Sequence, residues 1–230
     1  CIASLLLASC AQKKTAAAAE KITVIDQNNM EATLNGKPDR IVLTALPLPS
    51  IYALTGEPIE KLVGMHPGAT SAIKNSVMGA MYPALLNVPS NFINGVDSNI
   101  EELMKLKPDV VMYWAEYTNQ YELLKSAGIP AVGVKTQGDG DVIVTMDSWL
   151  GIMGEMFGKK VDAVLEYGRS LQKDILSKIE GIPDSDKPKV LYIFNHSSEE
   201  ISVSGNKFYG GTWIENTGGI NAAREIQGHA

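Results

Sequence analysis

The chain has 230 residues, of which 45% are hydrophobic and 20% charged, a balance typical of a folded globular protein that excludes intrinsic disorder. Its formal net charge is −6, and no basic block or basic helix face of the kind that binds nucleic acid is present. The only cysteines, Cys1 and Cys10, lie at the N-terminus, so the rest of the chain can form neither a disulfide framework nor a cysteine-based metal site.

The N-terminus carries a short apolar run at residues 2–8, followed by Ser9 and Cys10. The run is too short to span a bilayer and predicts an export signal. Because Leu-Ala-Ser-Cys resembles the bacterial lipoprotein cleavage box, we predict lipidation of Cys10, with residues 1–20 as signal and tether. An ordinary secretory signal or a truncated membrane anchor is the alternative. The chain begins without methionine or a basic n-region, so we expect an N-terminally incomplete sequence.

Short apolar strands alternate with helices between residues 21 and 155, which we predict to be an N-terminal α/β lobe. Residues 21–25 and 30–34 flank the turn-rich sequence Asp-Gln-Asn-Asn and predict a hairpin. Asn99, followed three residues later by Glu102, predicts the start of a helix. Further helices are predicted at 50–54 and 119–127, and further strands at 40–44, 61–65, 109–113 and 130–134. This alternation favours a parallel sheet.

No strand pattern occurs between residues 147 and 181, where apolar side chains recur every three or four residues. We predict one long helix here, with residues 156–182 connecting two lobes. Residues 183–230 then start a second α/β segment. Its strands are predicted at 189–194 and 201–203, and its helix at 212–216. The predicted fold is therefore α/β, two lobes with parallel sheets joined by one long α-helix, the second lobe being incomplete and the chain truncated at both ends.

Common catalytic motifs are absent from the sequence. It contains no G-x-S-x-G elbow, Walker loop or H-E-x-x-H, and the glycines of residues 138–141, Gly-Asp-Gly-Asp, have the wrong spacing for a dinucleotide-binding turn. The histidines His66, His196 and His229 are far apart, and no pair has zinc-ligand spacing. We therefore predict no enzymatic activity.

Several short stretches together resemble a known family. They are Pro-Asp-Arg-Ile-Val at 38–42, Glu-Lys-Leu-Val-Gly at 60–64, Asn-Ile-Glu-Glu-Leu at 99–103, Leu-Lys-Pro-Asp-Val-Val at 106–111, Ser-Ala-Gly-Ile-Pro at 126–130 and Trp-Ile-Glu-Asn-Thr-Gly-Gly-Ile-Asn at 213–221. In this order they resemble the class III substrate-binding proteins of ABC importers, which serve iron–siderophore, haem, cobalamin and some metal-ion importers. The resemblance covers nearly everything from Lys21 onward.

The resemblance implies a ligand cleft between two α/β lobes, beyond the carboxyl ends of the strands. Candidate ligand residues on the corresponding loops are Leu48, His66, Trp114, Tyr117, Phe194, His196 and Tyr209. His66 and His196 would face each other and could offer imidazole to a chelated metal, although both could equally be polar loop residues. The resemblance also implies that Glu101 docks on the permease, a role compatible with a favourable charge in a helix first turn.

The predicted function is that of an extracytoplasmic, lipid-anchored solute-binding protein of the periplasm or outer cell surface. It would be a monomer without intrinsic cofactor that captures an iron or related metal chelate (siderophore, haem or cobalamin-like) for an ABC permease and its ATPase. Arginine occurs only at Arg40, Arg169 and Arg224, which disfavours citrate- or catecholate-type ligands. The alternatives are a Zn, Mn or Ni receptor of the same fold, a chelatase-like α/β enzyme and a structural surface lipoprotein.

Overall fold

A computed structural model describes residues 20–94 and 97–230. The predicted signal, the tether and the lipidation of Cys10 fall on residues 1–19 and lie outside the described residues. None of the helices in the described ranges combines the length and apolar character needed to cross a membrane.

The described residues form strands, helices and short 3-10 segments in alternation. The strands are β1 (Ile22–Ile25), β2 (Glu31–Leu34), β3 (Ile41–Leu43), β4 (Leu62–Met65), β5 (Ile93–Asn94), β6 (Asp97–Ser98), β7 (Val110–Trp114), β8 (Ala131–Val134), β9 (Lys189–Val190), β10 (Ile193–His196), β11 (Ile201–Val203) and β12 (Ile220–Asn221). The helices are α1 (Leu48–Leu54), α2 (Pro67–Lys74), α3 (Val77–Met81), α4 (Ile100–Lys105), α5 (Thr118–Ser126), α6 (Val142–Phe157), α7 (Asp162–Ile179) and α8 (Tyr209–Asn216). The 3-10 segments are Ile59–Lys61, Pro83–Asn87, Gly138–Gly140 and Asp184–Asp186.

A four-stranded parallel sheet in the order β4-β3-β7-β8 forms the core of the N-terminal half. Its strands are short and almost fully buried, because helices cover both faces of a parallel sheet. Side chains alternate between the faces: Met112 packs with α1 and α6, whereas Val111 and Tyr113 pack with α4 and α5. The predicted parallel α/β sheet is confirmed.

The predicted β1–β2 hairpin is also formed, and its turn covers the outer edge of β8. The buried carboxylate of Asp26 accepts hydrogen bonds from the backbone N–H groups of Asn28, Met30 and Gly133 (2.8, 2.8 and 2.9 Å). The N–H of Gln27 donates to the carbonyl of Gly133 at 3.1 Å. The turn thus occupies backbone groups that an exposed edge strand would leave unpaired.

The stretch predicted as one long helix is two helices, α6 and α7. The break lies at Gly158, which caps α6 in the left-handed conformation (φ 59°, ψ 41°). The following N–H, that of Lys159, donates to the carbonyl of Gly154 at 2.8 Å, which closes the helix end. The predicted connecting helix of residues 156–182 is therefore wrong at its start, because apolar spacing continues across the break while the backbone turns.

The C-terminal segment, residues 183–230, contains only two-stranded sheets. Strands β9 and β12 pair in parallel, whereas β10 and β11 pair antiparallel. The strand predicted at residues 189–194 is divided between β9 and β10, which have different partners, and the antiparallel pair was not predicted. Helix α8 begins at Tyr209, three residues before the predicted start, and packs against the Gly138–Gly140 turn.

Candidate functional site

The carboxyl edge of the four-stranded parallel sheet is formed by the loops after β3, β4, β7 and β8. Leu48, one of the predicted ligand residues, does not project from this edge. It is fully buried in the core on α1, so its side chain has a packing role and the predicted ligand contact is wrong for this residue. Leu46, two residues earlier, is 44% exposed and lies on the same loop. A Cβ at Gly68 would be 2.9 Å from Leu46 Cδ1 and 3.0 Å from His66 Nδ1, which places Leu46 beside His66.

His66 lies at the end of β4 and caps helix α2. Its Nδ1 accepts a hydrogen bond from the N–H of Gly68 at 2.9 Å, and the ring is half-buried. A neutral imidazole that accepts at Nδ1 carries its proton on Nε2. A neutral His66 that binds a metal through Nε2 would carry its proton on Nδ1, which could then no longer accept from the N–H of Gly68. The geometry therefore favours a hydrogen-bonding role over a metal-ligating one.

Trp114 and Tyr117 lie where β7 ends. The half-buried Trp114 ring packs edge-on against Trp149 with centroids 5.5 Å apart, and Trp149 Nε1 donates to the carbonyl of Lys135 at 3.0 Å. Tyr117 is 39% exposed and precedes α5. Trp114 is thus held on the core by a buried neighbour, and part of its ring remains exposed at the carboxyl edge.

Polar side chains of the β1–β2 turn extend this edge beside the loop after β7. Asn28 Nδ2 donates to the carbonyl of Ala115 at 2.8 Å, and Gln27 Oε1 accepts from the N–H of Lys135. Gln27 also donates from Nε2 to Ser148 Oγ. The sequence predicted only a turn here, because these partners lie 87 to 121 residues further along the chain.

Aromatic rings cluster in the C-terminal segment and include two of the predicted ligand residues. Phe194 and Tyr209 have ring centroids 6.3 Å apart, and Phe208 lies 5.3 Å from Phe194. The His229 ring lies 4.8 Å from Phe208 and 5.6 Å from Phe194. The sequence predicted no role for His229, because nothing in its local spacing indicates contact with aromatic rings that are distant along the chain. We call Phe194, Phe208, Tyr209 and His229 the aromatic cluster.

The phenol of Tyr209 stays protonated at neutral pH. Burial, with smaller contributions from Tyr192, raises the pKa of Tyr209 to about 12. The Tyr192 ring contacts Tyr209 edge-on with centroids 5.6 Å apart. Tyr209 can therefore offer a hydrogen bond and an aromatic face rather than a charge.

His196, also predicted to contact the ligand, is exposed at the end of β10. The expectation that it faces His66 across a cleft stays a prediction. Within residues 20–94 and 97–230, no group of three or more His, Cys, Asp or Glu side chains is placed to hold a metal ion.

Glu101 is exposed in the first turn of α4. The predicted helix start is confirmed, because the Asn99 side chain accepts from the N–H of Glu102 at 3.1 Å. The Glu102 carboxylate pairs with Lys105. Docking of Glu101 on a permease stays a prediction.

An open apolar groove of about 390 Å³ lies between helices α6, α7 and α8 and strand β9. Its lining consists of Val142, Ile143, Leu171, Gln172, Ile175, Pro188, Val190, Trp213, Ile214, Asn216, Thr217 and Gly219. None of the predicted ligand residues lines it, so the groove is separate from the candidate site.

The Gly-Asp-Gly-Asp sequence of residues 138–141, whose glycine spacing excluded a dinucleotide-binding turn, is in contact with the start of α8. Thr212 Oγ1 donates to the carbonyl of Asp139 at 2.7 Å. Gly140 (φ 87°) lies against the backbone of residues 208–209, and a Cβ on it would be 2.5 Å from Tyr209 N. The aromatic cluster therefore sits beside the turn that follows β8.

The loops of the parallel α/β sheet meet at its carboxyl edge, where sheets of this class bind ligands, and helices join the sheet to a second segment rich in aromatic side chains. The family model described as "Periplasmic binding protein" matches residues 51–230, and the chain belongs to this family. The resemblance to substrate-binding proteins drawn from the sequence is confirmed.

Solved structures share this fold. The periplasmic solute binding protein of Veillonella parvula is 30% identical, with a TM-score of 0.74 over 91% of this chain and 62% of its own. The molybdate periplasmic binding protein MolA of Haemophilus influenzae is 22% identical, with a TM-score of 0.71 over 90% of this chain and 68% of its own. The vitamin B12 binding protein BtuF of Vibrio cholerae is 16% identical, with a TM-score of 0.60 over 84% and 70%. The chain thus spans 62% of the length of the Veillonella protein. Comparison with curated protein sequences gave no match.

Proposed function

We propose that the protein is the extracytoplasmic solute-binding component of an ABC importer, which captures its ligand and delivers it to a permease driven by an ATPase. The observation that carries this proposal is the family match over residues 51–230. The role is binding and delivery without chemical turnover. Glu101, exposed on α4, would contact the permease, and Cys10 would anchor a monomeric protein to the membrane by a lipid.

The proposed ligand is a metal chelate of the siderophore, haem or cobalamin type, bound without an intrinsic cofactor. Three aromatic side chains support this ligand class, Trp114 at the sheet edge and Phe194 and Tyr209 in the aromatic cluster, because aromatic faces suit flat, partly apolar molecules. The related proteins bind molybdate in one case and vitamin B12 in another, so the fold accommodates ligands of different chemistry.

Thermal unfolding with a panel of ligands tests this proposal. Hemin, cyanocobalamin and a ferric hydroxamate are added in turn, and we expect one of them to raise the melting temperature, since a ligand that binds only the folded state stabilises it. Replacing Trp114 with leucine should weaken binding of that chelate about tenfold or more, because it removes an aromatic face from the site. Tyr167→Leu is the control, since Tyr167 is a 70% exposed aromatic residue on α7.

Other outcomes of this experiment contradict the proposal. A rise in melting temperature with zinc, manganese or nickel salts alone would indicate a free-metal receptor. Conversion of a tetrapyrrole or a metal during incubation would indicate a chelatase-like enzyme. A folded protein whose melting temperature no ligand changes would favour a structural surface protein.

A further inference from the structure

One carboxylate, that of Asp141, contacts three helices from both halves of the chain. Its Oδ1 accepts hydrogen bonds from the N–H groups of Ile143 and Val144 (2.8 and 3.0 Å) and so caps α6. Its Oδ2 accepts from Gln172 Nε2 on α7 at 2.7 Å and from Asn216 Nδ2 on α8 at 2.8 Å. Asp141 is therefore an N-cap on one side and a bridge between helices on the other.

The surroundings of Asp141 leave little freedom for α8 to shift. Gly140 packs against the Phe208–Tyr209 backbone with no room for a Cβ, and Thr212 donates to the carbonyl of Asp139. Lys207 lies 3.6 Å from the Asp139 carboxylate, but both side chains are at least 60% exposed, so this ion pair contributes little. Gln172 and Asn216 both donate to the Asp141 carboxylate, and all three residues are half-buried. Hydrogen bonds to a charged acceptor are stronger than those between neutral groups.

We propose that Asp141 is a positioning residue that fixes α8, and with it the aromatic cluster, relative to the four-stranded sheet. Tyr209, a member of the cluster, is the first residue of α8, and Asn216 is the last, so a bond at Asn216 constrains the whole helix. Asp141 thereby sets the spacing between the aromatic cluster and the carboxyl edge of the sheet. Its consequence for ligand binding rests on the proposed function, whereas the positioning itself does not.

Hydrogen–deuterium exchange of the full chain, without ligand, tests the inference. An asparagine at position 141 can still accept from Ile143 and Val144 through Oδ1, but it replaces the charged acceptor of Gln172 and Asn216 with a neutral donor, so both amides must rotate to offer their oxygens and only neutral bonds remain. We expect Asp141→Asn to speed exchange of α8 amides about tenfold or more, as loss of two bonds to a charged acceptor implies. Amides of β3 and β7 should be unchanged.

A control, a second variant and a rescue complete the experiment. Asp139→Asn should leave α8 exchange unchanged, since it removes only an exposed ion pair and keeps the carbonyl that accepts from Thr212. Asn216→Ala should speed α8 exchange with the α6 cap intact. Swapping the two residues, D141N with N216D, restores a donor facing a carboxylate between positions 141 and 216 but not at Gln172, and should therefore recover part of the α8 protection lost in Asp141→Asn.

The inference is wrong if α8 amides exchange their hydrogens at the same rate in Asp141→Asn as in Asp139→Asn. It is also wrong if they exchange as fast in the double variant D141N with N216D as in Asp141→Asn alone. Because no ligand is present in this measurement, its failure is distinguishable from failure of the proposed function.

Discussion

Glu57 illustrates, at the residue scale, how one buried charge connects distant parts of the chain. Its side chain is only 7% exposed and pairs with Lys61 at 2.7 Å and with Lys159 at 3.0 Å. Burial alone would raise the pKa of Glu57, but hydrogen bonds from the two lysines outweigh it and lower that pKa below its ordinary value. Lys61 also pairs with Asp39 at 3.0 Å, so the network links the segment after α1, the loop before β3 and the loop between α6 and α7.

Replacing Glu57 with glutamine should lower the free energy of unfolding by about 1–3 kcal/mol at neutral pH, because two lysines lose a shared and largely buried carboxylate. The pKa of Glu57 is lower in the folded than in the unfolded state. Its contribution is therefore present above about pH 4.3, the ordinary value for glutamate, and is lost as the pH falls through the folded pKa. Urea unfolding at neutral and acidic pH measures this contribution, and the difference between the original protein and Glu57→Gln should shrink in acid.

Glu60→Gln is the matched control, because Glu60 is an exposed glutamate in the adjacent 3-10 segment. It should change the free energy of unfolding by less than about 0.5 kcal/mol. A Glu57→Gln difference that stays constant from neutral to acidic pH would contradict the linkage.

Whether such a contact can be predicted from the sequence depends on how far apart its two residues lie along the chain. The spacing of Glu57 and Lys61 is that of a local pair, and the cap at Asn99 was predicted from its spacing to Glu102. Lys159 is 102 residues from Glu57, and Asn216 is 75 residues from Asp141, and nothing in the local sequence signals either contact. For the same reason sequence reasoning missed Asp141, Gln27 and His229.

At the element scale, Gly158 decides whether residues 142–179 form one helix or two. Its left-handed backbone conformation ends α6 and lets α7 start in a new direction. Gly158→Ala should cost about 1–2 kcal/mol, because a side chain disfavours this conformation, and a Cβ would also lie 2.8 Å from Lys37 Nζ. The melting temperature checks this expectation.

Gly151 is the matched control, a glycine inside α6 with nothing within 4 Å of where its Cβ would be. Gly151→Ala should stabilise the protein by about 0.5–1 kcal/mol, since alanine is the better helix former. If Gly158→Ala stabilises to the same extent as Gly151→Ala, the break is not held by Gly158, and the single helix predicted from the sequence gains support.

The strands of the main sheet were predictable because each is a short, valine-containing apolar run that must be buried on both faces. The helix break was not, since the apolar spacing is continuous across Gly158. In the structure α6 carries several buried side chains, whereas those of α7 are at most half-buried. The division between β9 and β10 also escaped prediction. Residues 189–194 are one apolar run, but the run changes pairing partner partway along.

At the scale of the whole molecule, the turn of residues 138–141 follows the edge strand β8 and packs against the start of α8, where the aromatic cluster lies. The sheet edge contributes Trp114 and His66, and the C-terminal segment contributes Phe194 and Tyr209. The rule that ligands bind beyond the carboxyl ends of parallel strands selected the loops that carry these candidate residues, and their ligand role stays a prediction. It could not predict that Leu48 turns inward while Leu46 remains exposed, because that choice depends on how α1 packs on the core.

Equilibrium dialysis followed by elemental analysis tests the central claim, capture of a chelated metal, most directly. The protein is dialysed against a ferric hydroxamate, hemin or cyanocobalamin, and in parallel against simple iron, zinc, manganese and nickel salts. We expect the chain to retain one metal ion from one of the chelates, together with its organic chelator, and none from the simple salts. Retention of metal from a simple salt without any chelator, or of none from any chelate by a folded protein, would contradict the claim.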